Sequence, residues 1–494
     1  NCTMGAWSLY NNTSGNYNVA IGHEALYLNS SGQNNVAIGY RAMKVANYDG
    51  SGSNVAVGAE ALKANTTADN NTAMGRLALA ATTTGAGNTA VGYASQQTLV
   101  GGFNNTSLGF LSLYVSTASN NTAVGHTSLM GNTTGTGVTA VGMQSGRFNT
   151  TGSQNTYLGI NAGYNNTTAN NNTAIGADAF YANTTGAQNT AIGRLALKRN
   201  TTASGNTAVG YNSLAFNTTG QANTVVGANA LTANTTAHNN TVVGCNAGDN
   251  ITTSPSNTIV GQNAGTNITT GNGENVLIGN RAGVNISTGA QNVIIGDNGG
   301  ASLTTTVQNT FLGDNSGDAI TTGSSNTILG RFNGNQGGLD IRTSSNNIVL
   351  SDGSGNPRLH INSSGVVSAP AGFSGAGKVL QVVNMITSSN TSTNSTSFQN
   401  TAMVLSITPS STTSRIYAIA TFGTLSNTAS NVGSGGQRIR IYRTISGSSE
   451  TYLAQTAVGT REANGFNDYV EGASSISVMD SPSTTNSCSY RIKI

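Results

Sequence analysis

The sequence predicts an all-β protein: a long parallel β-solenoid of 17-residue coils, then a β-rich stem and a C-terminal antiparallel β-sandwich. Three observations predict it. A glycine recurs at Gly5, Gly22, Gly39, Gly58, Gly75 and onward to Gly330, twenty copies in all, and sixteen of the nineteen spacings are seventeen residues. Immediately before it, position −1 is Val, Ile, Leu or Met in every copy, and position −3 is Thr or Val in all but the first, where Cys2 stands. Only 7% of the 494 residues are charged and Pro numbers only 5, while Gly numbers 64. Low charge with a fixed apolar period points to a folded array rather than disorder, which goes with high net charge.

Residues two apart share one face of a strand, and β-branched residues favour strands. Helical repeats need longer units, about 33 residues or more. Each coil is therefore read as two short strands and two bends, the bends marked by Asn-Thr and Gly. Position −4 is Asn in nineteen copies, Val138 being the exception. Equivalent residues of stacked coils lie roughly 4.8 Å apart, so Asn206, Asn223, Asn240 and Asn257 are expected to form a hydrogen-bonded ladder. The ladder also explains the many Asn-x-Thr sequons without invoking glycosylation. Twenty coils predict a rod of roughly 95 Å.

Two coil types follow in order, over residues 1–244 and 245–330. In the first, position −2 is usually Ala, as in Ala208, position +4 is usually Leu, as in Leu214, and position +7 is often Asn, as in Asn217. In the second these become large, Gly and Ile or Leu, as in Ile259, Gly265 and Ile268. Close packing requires bulk lost at one site to return at another. Tyr157 with Gly163 shows the exchange early, whereas Val225 with Leu231 and Ala140 with Gly146 do not fit it. Each coil supplies few sizeable apolar side chains, a thin core for one chain, so an intertwined homotrimer with residues such as Val209 and Val226 facing a shared axis is expected.

The phrases "NTAVGYNSL", "NVAIGYRAM" and "NTAIGADAF" resemble the repeats of trimeric autotransporter adhesin heads, which are trimeric left-handed β-rolls. They are also similar to repeat arrays in bacteriophage tail fibres. The resemblance covers residues 1–330 and implies a trimeric, extracellular rod.

After Gly330, residues 331–376 read as short strands with hairpin turns at Asp352-Gly353 and Gly355-Asn356, ending in a linker, "AGFSGAGKV". This stretch resembles fibre stems. Residues 377–494 hold strand-like runs such as "RIYAIATFG", "QRIRIYRTI" and "SISVMD" between Ser/Thr/Asn-rich turns, the pattern of a sandwich. The order "GKVLQVV", "SITPSSTTSRI", "SPSTTNSCSYRI" resembles a terminal domain of phage fibres. In "QRIRIYR", Arg438, Arg440 and Tyr442 share a face that reads first as a solvated side. The segment "GTREANGFNDYVEG" places Arg461, Phe466, Asp468 and Tyr469 in a loop, and aromatic and Arg side chains on loops are typical receptor anchors.

Reactive groups are scarce. Only four histidines occur, His23, His126, His238 and His360; the first two follow the repeat glycine, and nothing near them supplies a nucleophile with an orienting acid. No P-loop, HExxH or Cys/His metal cluster occurs, and Cys2, Cys245 and Cys488 read as small, partly buried residues. Asp297 and Asp314 occupy position +1 of successive coils. That spacing would suit a retaining glycosidase, and with Asp318 a hard-cation site, but Asp also simply suits a turn after glycine.

The net charge of +3 carries no Lys/Arg cluster in the first 340 residues, which argues against nucleic acid, and no apolar run reaches the ~18 residues of a membrane span. The expectation is a non-enzymatic structural and adhesive fibre without cofactor, the distal part of a phage tail fibre. Its expected partners are two further copies of itself, other tail or fibre proteins, and a host cell-surface glycan or protein receptor. A bacterial trimeric surface adhesin and, further off, a polysaccharide-degrading spike are the alternatives. The chain is read as a segment of a longer polypeptide.

Overall fold

A computed structural model describes residues 1–46, 52–369, 383, 400–409, 411–422, 437–458 and 474–493. Every regular element among them is a β-strand. The chain divides into two compact units, Asn1–Gly372 and Phe373–Ile494.

The first unit is a β-solenoid. Each coil holds one three-residue strand rather than the two expected, twenty in all from Cys2–Met4 to Thr327–Leu329 on positions −3 to −1, and the rest of the coil is turn, because the left-handed residues after the glycine curl the chain back at once. They pair parallel and in register, so Thr207, Ala208 and Val209 sit against Thr224, Val225 and Val226. The alternation decides which side chains go inside. Position −2 is buried and positions −3 and −1 face out: Ala208 is fully buried, while Val226 is 39% exposed. The repeat glycine turns the chain out of the strand at φ 134 in Gly210, and a Cβ there would lie 2.4 Å from the Gly227 carbonyl oxygen. No side chain fits between coils at that point.

The bend after the glycine brings positions +3 and +4 inward. Ala196, Leu197, Ser213 and Leu214 are fully buried. Leu214 does this in the left-handed region, at φ 52, as do Leu197 and Leu231 at φ 50. That conformation costs an L-residue roughly 1–2 kcal/mol, which burial of a leucine offsets. In the second coil type Gly265 takes the same φ, 56, without that strain.

The space a Leu side chain would fill is taken from elsewhere. A Cβ on Gly265 would meet Leu277 at 2.9 Å and Ile268 at 3.0 Å, and one on Gly317 would meet the Phe311 ring at 2.3 Å. The misfit at Ala140 and Gly146 has its reason here. Gly146 opens room for Tyr157 of the following coil, whose ring a Cβ at 146 would approach to 2.6 Å, and Gly163 flanks the other side of that ring at 2.3 Å. The exchange operates between neighbouring coils as well as within one.

The core is thus closed by one chain, and the aliphatic −1 positions lie outside it. Polar residues take the −2 and +4 positions together at one place. Near residue 100 Gln96 replaces the +4 Leu and Ser107 the −2 Ala; the Gln96 side chain donates to Ser107 Oγ at 2.7 Å and to the Thr89 carbonyl at 2.9 Å.

Parallel stacking continues one turn past the last repeat glycine. Ile348–Ser351 pairs with Thr327–Leu329, and Asn347 extends the −4 column by donating its backbone N–H to Asn326 Oδ1 at 2.9 Å. Pro357–Ile361 and Val367–Ser368 then add antiparallel strands. The first hairpin is held by Asp352, whose Oδ1 accepts from the backbone N–H of Ser354 (3.0 Å) and Asn356 (2.9 Å).

The second unit contains two antiparallel sheets. One has the strand order Asn400–Ile407, Cys488–Lys493, Gln437–Ile445, Thr451–Val458, and the other pairs Ile416–Phe422 with Ser474–Asp480. Ile416, Ile439, Ile441, Ile476, Cys488, Tyr490 and Ile492 form its core. Asp480, almost fully buried, accepts from Arg443 Nη1 and from the Tyr490 hydroxyl, both at 2.6 Å. Replacing one partner of such a pair strands the other's charge.

Candidate interaction surfaces

The asparagines of the −4 column are buried and bonded through both main chain and side chain. The Asn223 backbone N–H donates to Asn206 Oδ1 at 3.0 Å and its Nδ2 to the same oxygen at 3.1 Å. Asn240 repeats this on Asn223 (3.0 and 3.2 Å) and Asn257 on Asn240 (2.9 and 3.0 Å). The Nδ2 of Asn223 also reaches the Ala237 carbonyl at 3.0 Å, tying the strand to the bend of the next coil. A second column runs at position +7 from Asn132 to Asn234, each Nδ2 donating to the Oδ1 of the coil before at 2.7–3.0 Å. It stops where Ile251 and Ile268 take over. The sequon asparagines of this column, such as Asn183 and Asn217, are fully buried and unavailable to a modifying enzyme. These columns are scaffold.

The outer surface carries aromatic columns. Tyr93, Phe110 and His126, at position +1 of three coils, stack at 5.2 Å spacings, and Tyr164 lies on Tyr181 at 4.9 Å. His23 packs between Trp7 (5.1 Å) and Tyr40 (5.7 Å). Stacking along the rod turns the His126 ring face toward Phe110 and the His23 face toward Tyr40, so both imidazoles are stack members.

The carboxylates sort likewise. Asp314 is paired with Arg331 Nε at 3.0 Å and Asp297 accepts from Asn298 at 3.3 Å. Burial raises the Asp318 carboxyl above its ordinary range. Among the described residues no group of three His, Cys, Asp or Glu is placed to hold a metal ion. Cys2 and Cys245 are exposed and only Cys488 is buried, so the expectation of partial burial fails for the first two: Cys245 is at the outward +1 position and Cys2 at −3 of the first coil.

Two surfaces remain. One is the aliphatic −1 column, in which Leu108, Leu158, Leu312 and Leu329 are 45–48% exposed. The other is the outer face of the four-stranded sheet, where Arg440, Tyr442, Tyr452, Arg491 and Lys493 converge. Arg461, Phe466, Asp468 and Tyr469 lie outside the described residues.

Comparison with known proteins found no matching family model, no matching curated protein and no matching solved structure.

The strand face of "QRIRIYR" was visible in the sequence, but its partners were not. Tyr452, Glu450, Arg491 and Lys493 come from two other strand regions, and only antiparallel register brings them beside Arg440 and Tyr442.

Proposed function

We propose that the chain is a non-enzymatic structural and adhesive fibre, the distal part of a bacteriophage tail fibre. Three copies pack side by side through the −1 column, and the second unit attaches to a receptor on a host cell surface. The observation that carries this reading is a contrast. The solenoid core is complete within one chain, yet a column of Val, Ile, Leu and Met side chains runs up its outer face from Met4 to Leu350. Soluble monomers rarely expose contiguous apolar surface beyond a few hundred Å². A second copy offers the same repeat and therefore a matching column. Each half-exposed aliphatic side chain withdrawn from water contributes roughly 1 kcal/mol, summed over the rungs. The likeness of the repeat phrases to adhesin heads and tail fibres supports the same assignment, and three tips on one shaft raise avidity without new contacts.

The test is mass in solution by light scattering. The full chain is expected at three times its monomer mass, and the double variant Val226→Asp/Leu312→Asp at a lower mass with the same circular dichroism. A wild-type monomer overturns the reading.

A further inference from the structure

The outer face of the four-stranded sheet is built in rows. Tyr452, Tyr442, Arg491 and Val404 lie side by side across it, as do Gln455, Arg440 and Lys493, and as do Thr444, Ser489 and Ser406. The intervening Ile439, Ile441 and Ile492 point into the core. The cations are held in place. Arg440 Nε donates to Gln455 Oε1 at 2.6 Å, and its guanidinium lies 5.1 Å from the Tyr452 ring. The Lys493 ammonium sits 4.5 Å from the Tyr442 ring and is bonded to Glu450, which also pairs with Arg491 at 3.5 Å. Arg438, one step along the strand from Ile439, is exposed. Among the described residues, four cations stand against the single carboxylate of Glu450 and leave this face positive.

We propose that this face binds an acidic polysaccharide, with Arg438, Arg440 and Lys493 meeting its carboxylates and Gln455, Ser489 and Thr444 its hydroxyls. The proposal rests on the adhesive reading and names its ligand class. Charge complementarity selects an anion, and side chains already held by neighbours lose less entropy when they bind it. The geometry disfavours nucleic acid, because the tyrosines meet edge to face at 63° with cations over their rings, leaving no platform for stacked bases. A membrane surface would need apolar side chains to insert, and among the residues of these rows only Val404 is aliphatic.

Retention of the full chain on immobilised polygalacturonate, with neutral dextran as control, tests it. Retention that falls with salt is expected, together with about tenfold weaker binding in Arg438→Gln and in Tyr452→Ala, whereas Lys63→Glu on the rod binds as wild type. No retention, unchanged retention in both sheet variants, or equal retention on duplex DNA or on anionic phospholipid vesicles overturns it. A trimer that ignores polygalacturonate overturns only this inference, while a monomer that binds it overturns only the fibre reading.

Discussion

At Asn223 one side chain serves three coils. Its oxygen accepts from Asn240, and its nitrogen donates to Asn206 and to Ala237. Asn223→Ala leaves the buried Asn240 N–H without an acceptor, at a cost of about 2 kcal/mol. Hydrogen exchange at the Asn240 amide should quicken, and unchanged protection there would refute the ladder's energetic role. Asp352 works by charge. The Asn356 backbone N–H and the Arg358 guanidinium hold its carboxyl down at about 2, against an ordinary value of 3.8. A carboxyl lowered on folding adds stability above its unfolded pKa and loses it as pH falls through the folded one. The stem hairpin should therefore weaken between about pH 4 and pH 2. Asp352→Asn should flatten the acid branch of Asn356 amide exchange, and parallel pH profiles in the two proteins would dismiss this.

Coils are the elements, and their two cross-sections solve one packing problem twice. Position +4 is left-handed in both. Where Leu occupies it, position −2 stays small except at Val225; where Gly occupies it, a large residue fills the same volume. Gly317→Leu drives a side chain into Phe311, costing about 1–3 kcal/mol, although the backbone itself tolerates Leu at that φ. Phe311→Ala alone leaves a cavity worth about 3–5 kcal/mol. The double variant should be more stable than the sum of the two by at least ~1 kcal/mol, measured by denaturant titration. Simple additivity would show that the two sites do not share space.

At the scale of the molecule, the first unit is an array whose coils pair only with their neighbours. Its −1 column runs unbroken from Met4 to Leu350 and is the surface through which the proposed trimer packs. The loss of trimer mass expected for Val226→Asp/Leu312→Asp belongs to this scale, because both side chains lie outside the single-chain core and their replacement leaves coil packing intact. The proposed binding of an acidic polysaccharide belongs to the second unit, which contains Arg438 and Tyr452.

Period, strand position and the −4 Asn column were legible in the sequence by itself, because each coil repeats the same local chemistry at a fixed spacing. So was the coupled change at −2, +4 and +7, since volume is conserved in a packed interior. The side on which each residue lies was decided only in three dimensions. Ala208 faces in and Val209 out because the bend after Gly210 folds Leu214 under the strand, closing the core without a second chain. Gly146 belongs with Tyr157 for the same reason: the contact is between coils, and a pattern read within one coil does not contain it. The sheet face around Tyr442 depends on pairings 53 residues apart, Arg440 with Lys493, and 87 apart, Val404 with Arg491, which no local signal in "QRIRIYR" encodes.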